Sequence, residues 1–272
     1  MLGEGEFLTE ILHSPGDLAP RLVFADWLEE QGDPRGEFIR IQCELSEPSD
    51  DLSRRDELDH RQEQLRRQFE HEWTRDVRGL VNGWTFHCGF VESVEATADQ
   101  LMKHGDRLRQ LTPIRYLTIQ SAASTTRRIM ELQLIQQLEI LRIERSRLSV
   151  RDVDAIRIRG LPQAHTLALS QCDLTDDTFA PLLELHAPKL HDLDVSINQL
   201  RNRTAIDLVK SPLSQQLRSV NLFANQIRQK GAMALAEEGS LPRLQYLEIR
   251  GNSIGRSGAH ALLKRFGRIV MV

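Results

Sequence analysis

The sequence predicts an α/β solenoid behind an N-terminal all-α domain, with parallel strands on a concave face and helices on a convex one. Three observations predict it. A short apolar pattern with strand spacing starts at Ile114, Leu138, Ala164, Leu190, Leu217 and Leu244, a period of about 23–27 residues. In the later copies an amphipathic run follows the strand-like piece. The first 46 residues carry helical spacing and no such recurrence. A unit with one apolar side cannot bury that side alone, so successive units must stack.

The copy Leu217–Glu238, LRSVNLFANQIRQKGAMALAEE, shows the unit most fully. Leu217, Val220, Leu222 and Ile227 point one way, as a short strand and its exit require. Asn225 stands where the chain turns out of the strand. Gly231, Ala232, Met233, Leu235 and Ala236 supply the inner face of a helix. The form L-x-x-V-x-L-x-x-N-x-I is that of a leucine-rich repeat. The runs N-x-I-x-x-x-G-A-x-A-L beginning at Asn225 and Asn252 resemble the ribonuclease-inhibitor-like subfamily, over about residues 89–272. That resemblance implies a helix in most repeats, a parallel sheet lining a horseshoe, and a partner held on the concave face. It does not imply inhibition of a ribonuclease, which belongs to particular surface residues and not to the fold. It also implies that the turn residue is a buried Asn or Cys bonded to turn backbone. Asn198, Asn225 and Asn252 fill that place, with Cys172 one repeat earlier and Ser146 and Ala122 before it.

Three short helices are expected over residues 4–46. Phe7, Leu8, Ile11 and Leu12 face inward from the first, and Ser14-Pro15-Gly16-Asp17 breaks it, Asp17 acting as a cap. The second runs from about Leu18 to Gln31, with Leu22, Val23, Ala25, Trp27 and Leu28 as its apolar set. Gly32 suits a left-handed C-cap, Asp33 an N-cap, and Pro34 a first helical position. Phe38, Ile39, Ile41, Gln42 and Leu45 follow. The run RLVFADWLEEQGDPRGEFIR resembles the bacterial repeat-companion domain, a module found beside repeat arrays. The resemblance spans roughly 40 residues and implies company without chemistry.

Residues 47–88 are expected to join this domain to the array. A charged helix there carries Leu58, Leu65, Phe69, Trp73 and Val77 as one narrow stripe, with Glu57–Arg61 and Glu63–Arg67 as i,i+4 pairs. The array is expected over 89–272. It begins with an irregular unit at Gly89, whose helix would run from Ala98 to Leu111. It ends in a strand, Arg268–Val272, that would either close the array or pair with another molecule.

Composition bounds the function. With 40% hydrophobic and 27% charged residues and a net charge of −4, the chain reads as globular and not as a protein built mainly to hold nucleic acid. Three scattered cysteines, Cys43, Cys88 and Cys172, suit reduced thiols in the cytoplasm better than a disulfide framework. The acidic N-terminus does not read as a signal peptide, and no segment approaches a membrane span.

Chemistry is sparse. Neither a phosphate-binding loop nor a C-x-x-C nor H-E-x-x-H motif occurs. His186, His191, Asp192 and Asp194 flank a repeat boundary and read as polar surface, not as metal ligands. Asp176-Asp177 begins a helix, where acids favour the dipole. His87 and Cys88 are adjacent, and neighbours in a strand point to opposite sides, which argues against a nucleophile pair. Arg142, Arg145, Arg147, Arg151, Arg157 and Arg159 are interleaved with Glu139, Glu144, Asp152 and Asp154, so a solvated surface is favoured over an anion or RNA patch. Arg21, Asp26, Glu29, Glu30 and Arg35 either hold the helical domain in place or form a docking face.

Strand alternation selects the concave face. It predicts Tyr116, Arg142, Glu144, Asp192, Asp194, Asn221, Phe223, Tyr246, Glu248 and Arg250 as partner-binding residues, with Cys172, Asn198, Asn225 and Asn252 as the turn ladder. No acid, base and nucleophile converge there. The expected function is a non-enzymatic module, without cofactor or metal, that binds a protein or peptide. The alternatives are a regulator of a partner enzyme, either GTPase-activating or inhibitor-like, and, less favoured, an anion or RNA binder through Arg142–Arg159.

Overall fold

The structure is a computed structural model and describes residues 3–122 and 124–272. The chain divides into two compact units, residues up to 95 with 104–115, and residues 96–103 with 116–272. Among the described residues no helix is long and apolar enough to cross a membrane.

The first unit opens with α1 (Glu4–His13), α2 (Ala19–Glu30), α3 (Pro34–Ser46) and α4 (Leu52–Trp73). Phe7 and Ile11, one turn apart, are the buried residues of α1. In α2 the buried set is Arg21, Phe24, Ala25 and Leu28. This corrects the expected set at Val23, which is 54% exposed while Phe24 is fully buried. Steps of three and four from Ala25 and Leu28 reach Phe24 and Arg21 and pass over Val23. Gly32 takes φ 72 and closes α2. The Asp33 carboxylate accepts the Arg35 N–H at 2.8 Å, and Pro34 follows at the first helical position. Leu58 and Leu65 bury one side of α4. Its last turn stacks Trp73 on Phe38 of α3, with ring centroids 4.7 Å apart. The Glu63–Arg67 pair forms at 2.7 Å. The Glu57–Arg61 pair does not, because Arg61 gives both arms of its fork to Glu37 of α3 at 2.6 and 2.7 Å, and a bidentate carboxylate is the stronger partner.

Strands β1 (Gly83–His87) and β2 (Phe90–Thr97) form an antiparallel hairpin in which His87 faces Phe90. The stretch expected to open the array at Gly89 is therefore the return strand of a hairpin. Its helix, α5 (Ala98–Leu111), has the expected bounds. The turn residues Cys88 and Gly89 both have positive φ, 45° and 83°, as a two-residue hairpin turn demands. A Cβ on Gly89 would lie 2.1 Å from Ile39 Cγ1 and 2.9 Å from Ile39 Cα. Gly89→Ala should therefore lower the stability of this unit by at least about 2 kcal/mol in urea unfolding, since it adds overpacking to an unfavourable φ. Gly3→Ala, with open space around its Cβ, is the control.

The second unit is the repeat array. Its strands are β3 (Tyr116–Gln120), β4 (Ile140–Glu144), β5 (Thr166–Ser170), β6 (Asp192–Asp194), β7 (Ser219–Asn221), β8 (Tyr246–Glu248) and β9 (Val270–Met271). Each pairs in parallel with the next. The helices are α6 (Thr126–Glu131), α7 (Val150–Arg159), α8 (Asp176–Phe179), α9 (Asn202–Lys210), α10 (Gln229–Leu235) and α11 (Gly255–Phe266). Between strands and helices lies one elongated core that includes Leu117, Ile119, Leu141, Ile143, Leu167, Leu169, Leu193, Val195, Val220, Leu222, Leu247 and Ile249, each at most 2% exposed. The terminal strand β9 adds to β8 through the Leu247–Val270 and Glu248–Met271 pairs.

Two ladders of side chains tie repeat to repeat. At the turn, Asn198 Oδ1 accepts the N–H groups of Cys172 and Leu174, both at 3.0 Å. Its Nδ2 donates to the carbonyls of Leu169, Val195 and Ser196. Asn225 and Asn252 repeat the arrangement one and two coils later. Cys172 holds the place with a thiol donated toward the Ile143 and Ser170 carbonyls at 3.2 and 3.3 Å. Ser146 bridges the Ala122 N–H and the Glu144 carbonyl. The second ladder caps helices sideways. Asp176, at the start of α8, accepts from the Arg201 and Thr204 N–H groups at the start of α9. Asn202 then accepts from the Arg228 and Gly231 N–H groups around the start of α10. Each cap thus satisfies donors that the neighbouring helix leaves open.

Candidate functional site

The in-register pairing turns the strand face into a grid that can be read directly. One row runs Tyr116, Ile140, Thr166, Asp192, Ser219, Tyr246. The next runs Thr118, Arg142, Ala168, Asp194, Asn221, Glu248. Alternation sends these side chains away from the core. At one strand per about 4.8 Å, the tyrosines at the ends of the first row stand about 24 Å apart, which is long enough for an extended peptide or an edge of a folded partner.

Exposure separates the residues named from the sequence. Phe223, just past the end of β7, and Tyr246 on β8 are 38% and 39% exposed. Arg142 and Arg250 are exposed, while Tyr116, Glu144, Asp192, Asp194 and Asn221 are half-buried. Glu248 is buried, capped by Arg250, whose Nη2 lies 2.6 Å from Glu248 Oε2. The Arg250 guanidinium holds the Glu248 carboxyl below its ordinary range. Tyr246 donates to the same carboxylate at 3.3 Å, and its phenol is pushed up first by partial burial and then by that negative charge.

The two aspartates at the centre of the grid lie among polar partners. Asp194 Oδ2 accepts the Asn221 amide at 2.9 Å, and its Oδ1 accepts the Ser196 N–H at 2.8 Å. Asp192 accepts the Thr166 hydroxyl at 3.4 Å and lies 3.1 Å from the His191 ring. Two adjacent carboxylates thus face solvent between uncharged neighbours, Thr166 and Ala168 on one side and Ser219 and Asn221 on the other. A feature the sequence reading passed over adjoins them. His165 and His191 stack with centroids 5.3 Å apart and rings 2° from parallel, and His165 also meets Glu139 at 3.5 Å. Their shared place in A-H-T-L and L-H-D-L was the available signal.

The arginines from Arg142 to Arg159 do not gather. Arg142 is on the strand face, and Arg145 and Arg147 lie in the exit loop. Arg151, Arg157 and Arg159 are on α7, where Arg157 pairs with Asp154 at 2.8 Å. Among the described residues no group of three His, Cys, Asp or Glu side chains could hold a metal ion.

Residues 214–236 match the family model described as Leucine Rich repeat. No curated protein matches the chain. Among solved structures, a crystal structure of a Bacteroides fragilis protein is similar at 12% identity and a TM-score of 0.47, covering 74% of this chain and 69% of that one. With the repeat match, the parallel strands and the shared core, the fold class is an α/β leucine-rich-repeat solenoid.

Proposed function

We propose that this protein is a non-enzymatic interaction module whose concave strand face takes a protein or peptide segment carrying both a cation and an apolar side chain. A leucine-rich repeat supports a protein-interaction role in general terms. The finer reading rests on one observation: Asp192 and Asp194 of β6 share the strand face with the exposed Tyr246 of β8, and the exposed Phe223 stands just past the end of β7. A lysine or arginine of the partner would complete the charge, and an apolar side chain would cover the rings. Aromatic anchors beside complementary charge are what partner recognition uses. The ribonuclease-inhibitor-like resemblance points the same way.

The test begins with an affinity pull-down on immobilised protein, followed by titration of the captured partner. Tyr246→Ala and Phe223→Ala should each weaken binding at least about tenfold, the scale of a hot-spot residue. Asp192→Asn with Asp194→Asn should weaken it and flatten its dependence on salt. Unchanged affinity in all of these, with loss only on substitution along the helix face, would overturn the reading.

A further inference from the structure

Two of the three cysteines meet in the first unit, outside the face just described. Ile39, Gln42, Cys43 and Ser46 follow the three–four spacing that places residues on one side of α3. The tip of the β1–β2 hairpin lies against that side. The Gly89 N–H donates to Gln42 Oε1 at 2.8 Å, and Gly89 approaches Ile39 so closely that no Cβ fits. This contact brings Cys88 to Cys43, and both are buried in one cluster with Phe24, Ile39 and Phe90. The Cys88 carbonyl is held at 3.2 Å by Arg21 Nη1. Cys172 is different: it is buried in the array and donates to backbone carbonyls.

We propose that Cys43 and Cys88 form a peroxide-oxidisable dithiol whose disulfide ties α3 to the β1–β2 turn. The Cys88 thiolate attacks one oxygen of a peroxide, the O–O bond breaks, and Cys88 becomes a sulfenic acid. The departing oxygen takes the Cys43 proton and leaves as water or alcohol. The Cys43 thiolate then attacks the Cys88 sulfur, forming the S–S bond and expelling hydroxide. Hydroxide takes up the proton lost when Cys88 ionised and leaves as water. Two thiols are oxidised and one peroxide is reduced.

The surroundings divide the two roles. The neighbouring Cys43 thiol, then Ser46 and the positive charges of Arg21 and Arg115, hold the Cys88 thiol below its ordinary range. Cys43 is raised by the same contact and by burial, which suits a group that gives up its proton second. Burial pushes Cys172 up to about 12, so its thiolate is scarce.

The full-length protein is treated with submillimolar hydrogen peroxide, quenched in denaturant with a maleimide, and mapped by mass spectrometry. The expected result is a 2 Da loss reversed by dithiothreitol, a Cys43–Cys88 linked peptide within one chain, and oxidation at least tenfold faster than at Cys172. Cys43→Ser should leave Cys88 as a sulfenic acid that a dimedone probe captures. The proposal is overturned if the three thiols are alkylated alike after peroxide, if only disulfides between chains form, or if Cys172 oxidises as fast.

Discussion

Replacing Arg21 with Met should destabilise the first unit by about 3–5 kcal/mol, the cost of breaking a buried ion pair from one side. Arg21 has no exposed surface, and neither has its partner Glu92. Nη2 lies 2.5 Å from Glu92 Oε1 and donates to the Pro15 carbonyl at 2.6 Å, and Nη1 reaches the Cys88 and His87 carbonyls. The guanidinium also sits 5.1 Å from the centre of the Phe90 ring. One side chain therefore joins the α1–α2 turn, the hairpin tip and β2. Lysine would not replace it, because one ammonium cannot present a planar fork to acceptors on several sides. Met at both 21 and 92 should recover part of the loss, because no carboxylate is then left buried. Trp27, Trp73 and Trp84 are all the tryptophans of the chain and all lie in this unit, so fluorescence in urea reads its unfolding selectively. A loss below about 1 kcal/mol would show the pair to be dispensable.

The same variant carries a signed pH dependence. Burial pushes the Glu92 carboxyl up to about 7, against the pull of Arg21 and Arg115. A folded-state value above the ordinary one means that folding takes up a proton between about pH 4.5 and 7. This part of the stability is present at low pH and is lost as pH rises. Removing Arg21 removes a pull on Glu92, so the loss deepens at high pH. The neighbours act in the same sense. His87 is lowered by burial, then by Arg115 and Arg21, and Cys88 is lowered in part by Arg21. Each binds its proton more readily once Arg21 is gone. The cost of Arg21→Met, measured against the parent at each pH, should therefore grow from pH 5 to pH 8. A flat difference would show that the site does not titrate.

How far the sequence carried this structure differs between the units, and particular residues show why. The array was legible because its core repeats: Leu117, Leu141, Leu167, Leu193, Val220 and Leu247 stand in one register across six strands. The grid of the candidate face follows from that register, so its residues could be named from spacing alone. Which of them a partner would touch was not legible, because Glu248 is buried under Arg250 while Phe223 is open. The left-handed exits of the strands were hidden too. Ser121, Arg145, Gln171, Ile197, Ala224 and Gly251 all have φ between 51° and 73°, and the last alone is glycine. In the helical unit, Arg21 was read only as one of a charged cluster that holds the domain or docks a partner, and its acid could not be named because Glu92 comes 71 positions later. Partnerships between distant single residues leave no period in a sequence.

Asn198→Asp should unfold the array's middle coils, at a cost of about 3 kcal/mol or more. The substitution changes one nitrogen to oxygen and keeps the shape, so packing is not at issue. The amide donates to three carbonyls, those of Leu169, Val195 and Ser196, at 2.8, 3.0 and 3.0 Å. A carboxylate would set negative charge against three acceptors at a site only 8% exposed. Each buried polar group left without its partner costs about 1–3 kcal/mol. The cost should shrink in acid, where the aspartate is protonated and offers one donor. Asn252→Asp serves as the graded comparison, since Asn252 is half-buried and its carbonyl contacts are partly open to water. Far-UV circular dichroism follows the array, while the tryptophans of the helical unit should report little change, because repeat stability is set by coil-to-coil contacts. A thermal midpoint for Asn198→Asp within a degree of the parent at neutral pH would mean that the turn amide does not hold the coils together.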